Sequence, residues 1–87
     1  MTKYQPLRNY LTARQYMERV RLTFREVVNV LDEPLPSSAY RHREWWANQS
    51  DTAKRQWAAA WLDAGFVVDA VHQAPTDLDG WVEFVRR

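Results

Sequence analysis

The residue types best suited to chemistry or recognition are concentrated in one run, PLPSSAYRHREWWANQ, at positions 34–49. Ser38 lies four residues before His42, and this spacing makes two side chains neighbours on a helix, as a nucleophile and its base would be. The run offers no evident orienting carboxylate or oxyanion hole, and capping of a helix already explains a serine here. We therefore expect no enzymatic activity.

The ligand inventory of the chain argues against metal and cofactor chemistry. The chain has no cysteine, and its only histidines are His42 and His72. A metal site needs several converging nitrogen, sulfur or carboxylate ligands at suitable spacing. The sequence therefore predicts no metal, no cofactor and no disulfide framework.

Recognition of a phosphate chain has better support in the same run. Arg41 and Arg43 carry the positive groups that commonly contact a phosphate backbone or guanine, and a helix N-terminus offers free N–H groups. Ser37 and Ser38 can add hydroxyls, and Tyr40 adds a planar group. The residues predicted to contact nucleic acid are Ser37, Ser38, Tyr40, Arg41, Arg43, Asn48, Lys54 and Arg55.

Structural uses of these residues stay open beside that prediction. Arg41 and Arg43 are two positions apart and point in different directions on an ideal helix, so one of them can pair with Glu44 or cover a tryptophan instead. His42 is interpreted as a packed or half-exposed hydrogen-bonding group. Asn48 either caps the helix end or contacts an adenine edge, and capping is the favoured interpretation.

The two adjacent tryptophans obey the same helical geometry. Trp45 and Trp46 should project about 100° apart, so at most one of them can lie deep in the core. We expect Trp46 to be the core residue. Trp45 is then left either to stack on a base or a partner protein, or to close the boundary of the core.

Composition and charge bound the class of protein. The 87 residues, 46% of them hydrophobic, fit a single domain spanning residues 1–87. Residues 1–62 carry ten Lys and Arg against six Asp and Glu, a balance of +4, whereas residues 63–87 carry two against five, a balance of −3. This asymmetry can orient the first part of the chain toward a polyanion. With no apolar run long enough for a membrane span and no signal-like start, we expect a cytoplasmic protein.

The helices and strands that position residues 34–49 can be predicted from hydrophobic periodicity, capping residues and helix-breaking residues. Hydrophobic spacing predicts four helices, at residues 6–19, 24–31, 38–47 and 51–63. A short alternating strand is predicted at 20–24, and a C-terminal β-hairpin is predicted from 66–72 and 80–86.

Local signals mark the ends of these elements. Thr23 and Glu26 form a capping box for the second helix, Ser37 or Ser38 should cap the third, and Gly65 suits the end of the fourth. This order predicts an α+β fold that resembles a winged helix-turn-helix domain, with the early strand pairing with the hairpin. The extra helix leaves open which helix would contact DNA.

The motifs LTFREVVNVLDEPLPSSAYRHREWWANQ and QWAAAWLDAGFVVDAV carry a resemblance to a known family. They resemble a small bacterial domain family of unknown function whose pattern is TFxEIxxILGxxLPxSA, then WWxN, then AWLxAG[FY]xV. Asp32 stands where the family has glycine. The matching residues are Thr23, Phe24, Glu26, Leu31, Leu35, Pro36, Ser38, Ala39, Trp45, Trp46, Asn48, Trp61, Leu62, Ala64, Gly65 and Phe66. The resemblance implies a domain assignment and no activity.

Two functions are consistent with this sequence. The first is a small non-enzymatic domain that binds nucleic acid, most simply duplex DNA, through the third helix and the LPSS turn before it, as a regulator or defence-associated specificity module. The second is a protein-interaction module, such as a phage or defence-system inhibitor, that uses Trp45, Tyr40 and the acidic hairpin. Interfaces favour tryptophan, tyrosine and arginine as well, so composition alone does not separate the two.

Overall fold

A computed structural model of the chain describes residues 4–48, 56–74 and 79–87. In these ranges the chain has an α+β fold, with four α-helices and a three-stranded antiparallel sheet built from an early strand and a C-terminal hairpin. The α-helices are α1 Gln5–Thr12, α2 Phe24–Leu31, α3 Ser37–Arg41 and α4 Ala59–Leu62. The strands are β1 Arg19–Thr23, β2 Phe66–His72 and β3 Trp81–Arg86, and two 3₁₀ helices span Arg43–Trp46 and Gln56–Ala58.

The sheet has the strand order β1-β3-β2, so the last strand lies in the middle. The early strand pairs with the hairpin, as the sequence predicts: Leu22 lies opposite Val82 and Val20 lies opposite Phe84. The predicted hairpin is confirmed, with β2 at the expected residues and β3 beginning one residue late. A bulge interrupts the β2–β3 pairing between Val68 and Ala70.

The second predicted helix is confirmed at both ends. The Thr23 hydroxyl accepts the Glu26 N–H at 3.1 Å, and the Glu26 carboxylate accepts the Thr23 N–H at 3.0 Å, which is the predicted capping box. The helix stops after Leu31 because Asp32 adopts a left-handed conformation with φ 57°. Asp32 thus takes the backbone geometry in which glycine is usual.

The first helix is shorter than predicted and ends at Thr12, not at residue 19. Leu7 and Leu11 are buried, but Tyr16 and Met17 are 79% and 37% exposed, so no core contact stabilises further helical turns. The chain must also become extended by Arg19, the first residue of β1.

The third predicted helix, 38–47, is wrong in its second half. α3 lasts one turn, His42 is extended at φ −118° and ψ 113°, and residues 43–46 form a separate 3₁₀ helix. The predicted serine cap is also wrong, since Pro36 holds the N-cap position, no side chain caps the helix, and Ser37 and Ser38 lie in the first turn.

The fourth predicted helix is described only in its second half. Its start and its predicted cap at Ser50 or Asp51 lie outside the described residues. The described part runs through a 3₁₀ turn into α4, with Ala60 and Trp61 buried. Gly65 follows the helix at φ +87°, in agreement with its predicted role as a stop.

The core between the helices and the sheet is mainly aromatic. The Phe24 ring is stacked on the Trp46 ring at 5.5 Å, Trp46 lies 5.7 Å from Trp61, and Trp61 lies 5.7 Å from Phe84. This chain of rings connects α2, the 43–46 segment, α4 and β3, so the segment predicted to bind nucleic acid is built on the centre of the fold. In the part of the chain that the structure describes, no helix has the length and apolarity needed to cross a bilayer.

Candidate nucleic-acid interface

The predicted site centres on a short exposed turn, Arg41, His42 and Arg43, called here the basic turn. All three side chains are exposed. Within residues 4–48, 56–74 and 79–87, neither arginine of the turn forms an ion pair. The break in the helix at His42 separates the two arginines, so their relative direction is set by this extended residue and not by a helical turn.

The basic turn is held on both sides by hydrogen bonds to the core. On the α3 side, the Ala39 carbonyl accepts the indole N–H of Trp46 at 2.9 Å and a side-chain N–H of Gln73 at 3.1 Å. On the other side, the Trp45 carbonyl accepts the indole N–H of Trp57 at 2.6 Å. A turn fixed in this way has little backbone conformational freedom to lose on binding.

Trp45 is buried, so of its two predicted alternatives the stacking surface is wrong, and closure of the core is the one that agrees with its burial. It is 6% exposed and Trp46 is 2% exposed. The Trp45 ring is stacked on Trp57 at 5.1 Å and meets Tyr4 edge-on at 6.1 Å. Both tryptophans can be buried because they lie in a 3₁₀ helix with aromatic rings around it and not on one face of a long α-helix.

The remaining residues of the α3 segment divide between exposed and packed. Ser37 and Ser38 are exposed, so their hydroxyls face solvent in the first turn of α3. Tyr40 is partly buried and packs edge-on against Phe24, with ring centroids 5.5 Å apart. Its ring is therefore committed in part to the core.

Asn48 has a structural task that sequence reasoning missed. Its side-chain oxygen accepts the Val68 N–H at 2.7 Å and the Trp61 indole N–H at 3.1 Å, and its side-chain nitrogen donates to the Val68 carbonyl at 2.9 Å. The predicted cap is wrong, since the 3₁₀ helix ends at Trp46 with Ala47 in the C-cap position, and the Asn48 amide bonds to β2. No local signal could reveal a partner that is twenty residues away in sequence.

Two predicted contact residues, Lys54 and Arg55, lie outside the described residues. The structure therefore brings together Ser37, Ser38, Tyr40, Arg41 and Arg43 on one segment, and places Asn48 at the edge of the sheet.

The arginines of β1 differ from those of the basic turn because carboxylates neutralise them. Arg19 contacts Asp69 at 3.2 Å and Glu83 at 2.8 Å, and Arg21 contacts Glu83 at 3.3 Å. The hydrogen bond to Asp69, followed by the charge of Glu83, raises the pKa of Arg19. The outer face of the sheet is thus electrostatically balanced and unsuited to phosphate.

The Trp81 ring, on the same face of the sheet, is covered by side chains of the two neighbouring strands. The Trp81 ring has the Arg21 guanidinium 4.1 Å from its centroid on the β1 side, and His72 of β2 is stacked on it at 5.9 Å. Alternation along the predicted strands indicates that Arg21, His72 and Trp81 lie on one face of the sheet. Only the pairing register shows that they are in contact.

A groove of about 370 Å³ lies next to the basic turn, between the 43–46 helix and β2. Its lining residues are Arg43, Glu44, Trp46, Ala47, Asn48, Val68, Asp69 and Val71. Arg43 therefore belongs to the basic turn and also lines the groove.

Comparison with known proteins adds a family but no activity. No curated protein and no solved structure matches the chain. A family model described as a domain of unknown function, DUF7662, matches residues 4–79, which include the basic turn, the tryptophan pair and β2. This confirms the predicted resemblance to a domain family of unknown function, and the chain belongs to the DUF7662 family.

Proposed function

We propose that this domain binds nucleic acid without catalysis, and that its ligand is duplex DNA contacted through the basic turn. The observation that carries the proposal is the contrast between two pairs of exposed arginines. Arg19 and Arg21 are neutralised by carboxylates, whereas Arg41 and Arg43 have no ion-pair partner in the described ranges. A guanidinium without an internal counterion is available to a phosphate or to a guanine edge.

The anchoring of the turn supports the same function. Trp46 bonds back to Ala39 across the turn, and both flanking tryptophans are buried. Exposed serine hydroxyls at positions 37 and 38 precede the turn and can donate to the same phosphate chain. The proposed contact residues are therefore Ser37, Ser38, Arg41 and Arg43, with Lys54 and Arg55 extending them.

Topology is a second, weaker support. The element order and the β1-β3-β2 sheet agree with a winged helix-turn-helix arrangement, in which an early strand pairs with a late hairpin. Folds host many functions, so this likeness raises the expectation of DNA binding and does not carry it. The rival protein-interaction proposal loses one of its three supports, because Trp45 is buried.

The test is a salt titration of duplex DNA binding by the wild type and by Arg41→Ala/Arg43→Ala. We expect the double variant to bind more weakly, with a log–log salt slope smaller by about 0.9 for each phosphate that it no longer neutralises. If one arginine reads guanine, sequence preference should fall instead, by about 1–3 kcal/mol for the affected base pair. DNA fragments from the gene's own neighbourhood are the first probes.

The matched control is Arg8→Ala/Arg87→Ala, which removes the same charge from two exposed positions outside the turn. Circular dichroism establishes that each variant is folded. Absence of wild-type affinity at low salt, or equal weakening in both double variants, would overturn the proposal, since the effect would then be absent or due to net charge.

A further inference from the structure

The Ala39 carbonyl lies at the point where α3 stops. In a continuing α-helix it would accept the backbone N–H of Arg43, four residues later. It accepts two side-chain donors instead, the Trp46 indole at 2.9 Å and the Gln73 amide at 3.1 Å. A carbonyl oxygen has two acceptor positions, so both are filled, and among the described residues no backbone N–H donates to this oxygen. The chain leaves the helix at the next position but two, where His42 is extended.

The two donors differ in what holds them in place. Trp46 belongs to the neighbouring 3₁₀ helix, is 2% exposed, and has its ring packed between Phe24 and Trp61. Gln73 directly follows the last residue of β2, is half-buried, and lies 34 positions from Ala39 in sequence. The Gln73 amide therefore connects the end of the sheet to α3, whereas the core holds the Trp46 indole independently of it.

Loss of the Gln73 amide would free one acceptor position on this carbonyl, while the indole bond keeps the oxygen satisfied. The backbone N–H of Arg43 can then take the free position, and α3 would continue through His42. Residues two positions apart on an α-helix point about 200° apart around its axis, so Arg41 and Arg43 would face nearly opposite sides. Such a helical turn is poorly suited to directing both arginines at one phosphate chain.

We propose that Gln73 is a positioning residue for DNA binding. Its bond to the Ala39 carbonyl keeps α3 from continuing through His42, and the basic turn is thereby held in the arrangement in which both of its arginines contact phosphate. This inference rests on the proposed function and adds to it a residue outside the basic turn. Linkage makes the effect reciprocal: because the bonded turn has the higher affinity for DNA, bound DNA in turn favours the bond between Gln73 and Ala39.

The experiment compares Gln73→Met with Gln15→Met in the salt titration of duplex DNA binding. Methionine is an unbranched side chain like glutamine but has no N–H donor. The control removes a bond of the same kind outside the basic turn and α3, since the Gln15 amide donates to the Ala64 carbonyl at 2.7 Å. We expect Gln73→Met to bind about 3- to 10-fold more weakly, the equivalent of one neutral hydrogen bond, and with a shallower salt slope. Gln15→Met should bind like the wild type.

Two further measurements establish whether the effect passes through the arginines. In the Arg41→Ala/Arg43→Ala background at low salt, Gln73→Met should cause no further loss of affinity, whereas an effect unrelated to the arginines would add to theirs. On the wild-type protein, NMR should show slower hydrogen exchange of the Gln73 side-chain amide when DNA is bound. This second measurement keeps the test decisive if Gln73→Met does not fold.

The outcomes separate this inference from the proposed function. Wild-type affinity in Gln73→Met, equal weakening in both glutamine variants, an additive loss in the arginine background, or unchanged amide exchange would each overturn the role of Gln73 and leave DNA binding in place. Absence of DNA binding by the wild type would overturn both.

Discussion

Gly80 lies against the central aromatic stack, and replacing it with alanine tests how firmly that stack is packed. A Cβ built on Gly80 would lie 2.3 Å from Cδ2 and 2.4 Å from Cε2 of Phe24. Carbon atoms in contact prefer about 3.5–4.0 Å, so the Phe24 ring would have to move by more than an ångström. Gly80→Ala should therefore overpack the core.

Relaxation around this contact is restricted. The Phe24 N–H donates to the Gly80 carbonyl at 2.9 Å, which fixes the two backbones relative to each other. The ring itself is fully buried, lies nearly parallel to Trp46 and meets Tyr40 edge-on. A shift of Phe24 must therefore displace Trp46, the residue that bonds across the basic turn.

The magnitude follows from two opposing effects. Overpacking costs about 1–3 kcal/mol, and the smaller entropy of the unfolded alanine chain offsets about 0.4–1 kcal/mol of it. A contact of 2.3 Å lies at the severe end of overpacking, so the cost should be in the upper half of its range. The expected net loss of unfolding free energy is then about 1–2.6 kcal/mol, which corresponds to a fall in Tm of about 4–21 °C for a domain of this size. Thermal denaturation followed by circular dichroism measures it.

A double-mutant cycle with Phe24→Leu identifies the cause. The smaller side chain should remove most of the clash, so the two changes together should cost less than the sum of the single changes. An unchanged Tm for Gly80→Ala, or additive effects in the cycle, would show that the Gly80–Phe24 contact is not as close as described.

Two further changes test the core and the end of α2. Trp61→Ala removes a fully buried ring and should cost about 3–5 kcal/mol, enough to unfold or severely weaken so small a domain; a nearly unchanged denaturation midpoint would contradict a core role. Asp32→Gly should raise stability by about 0.5–1 kcal/mol because glycine adopts positive φ without a steric penalty. Its control, Asp32→Ala, should lower stability in the same urea titration, and a gain for both variants would refute the explanation.

The sequence by itself determined the helix ends and strands that depend on interactions between residues close together in the chain. The capping box of Thr23 and Glu26, the stop at Gly65 and the alternation in the hairpin strands each act within a few residues, and each has its expected effect. Pairing of the early strand with the hairpin was also predictable, because the element order leaves that strand few partners. The presence of Arg41 and Arg43 in one short run could likewise be read from the chain, but the exposure of both could not, because one of them could equally have covered a tryptophan.

Tertiary structure decided the features that depend on distant partners. α1 ends early because Arg19 must pair with β3, and the helix breaks at His42 so that Trp45 and Trp46 can both enter a core built from other segments. The register brings Glu83 to Arg19 and Arg21 across more than sixty positions, so it neutralises these two arginines and not those of the basic turn.

The groove between the 43–46 helix and β2 also depends on distant partners. The bulge at Asp69 and the bonds from Asn48 to Val68 have no local sequence signal, because each is created by the pairing of β2 with β3 and by the path of a segment twenty residues earlier. Local propensity can place a strand, but only the packed sheet determines which of its backbone groups remain open at the edge.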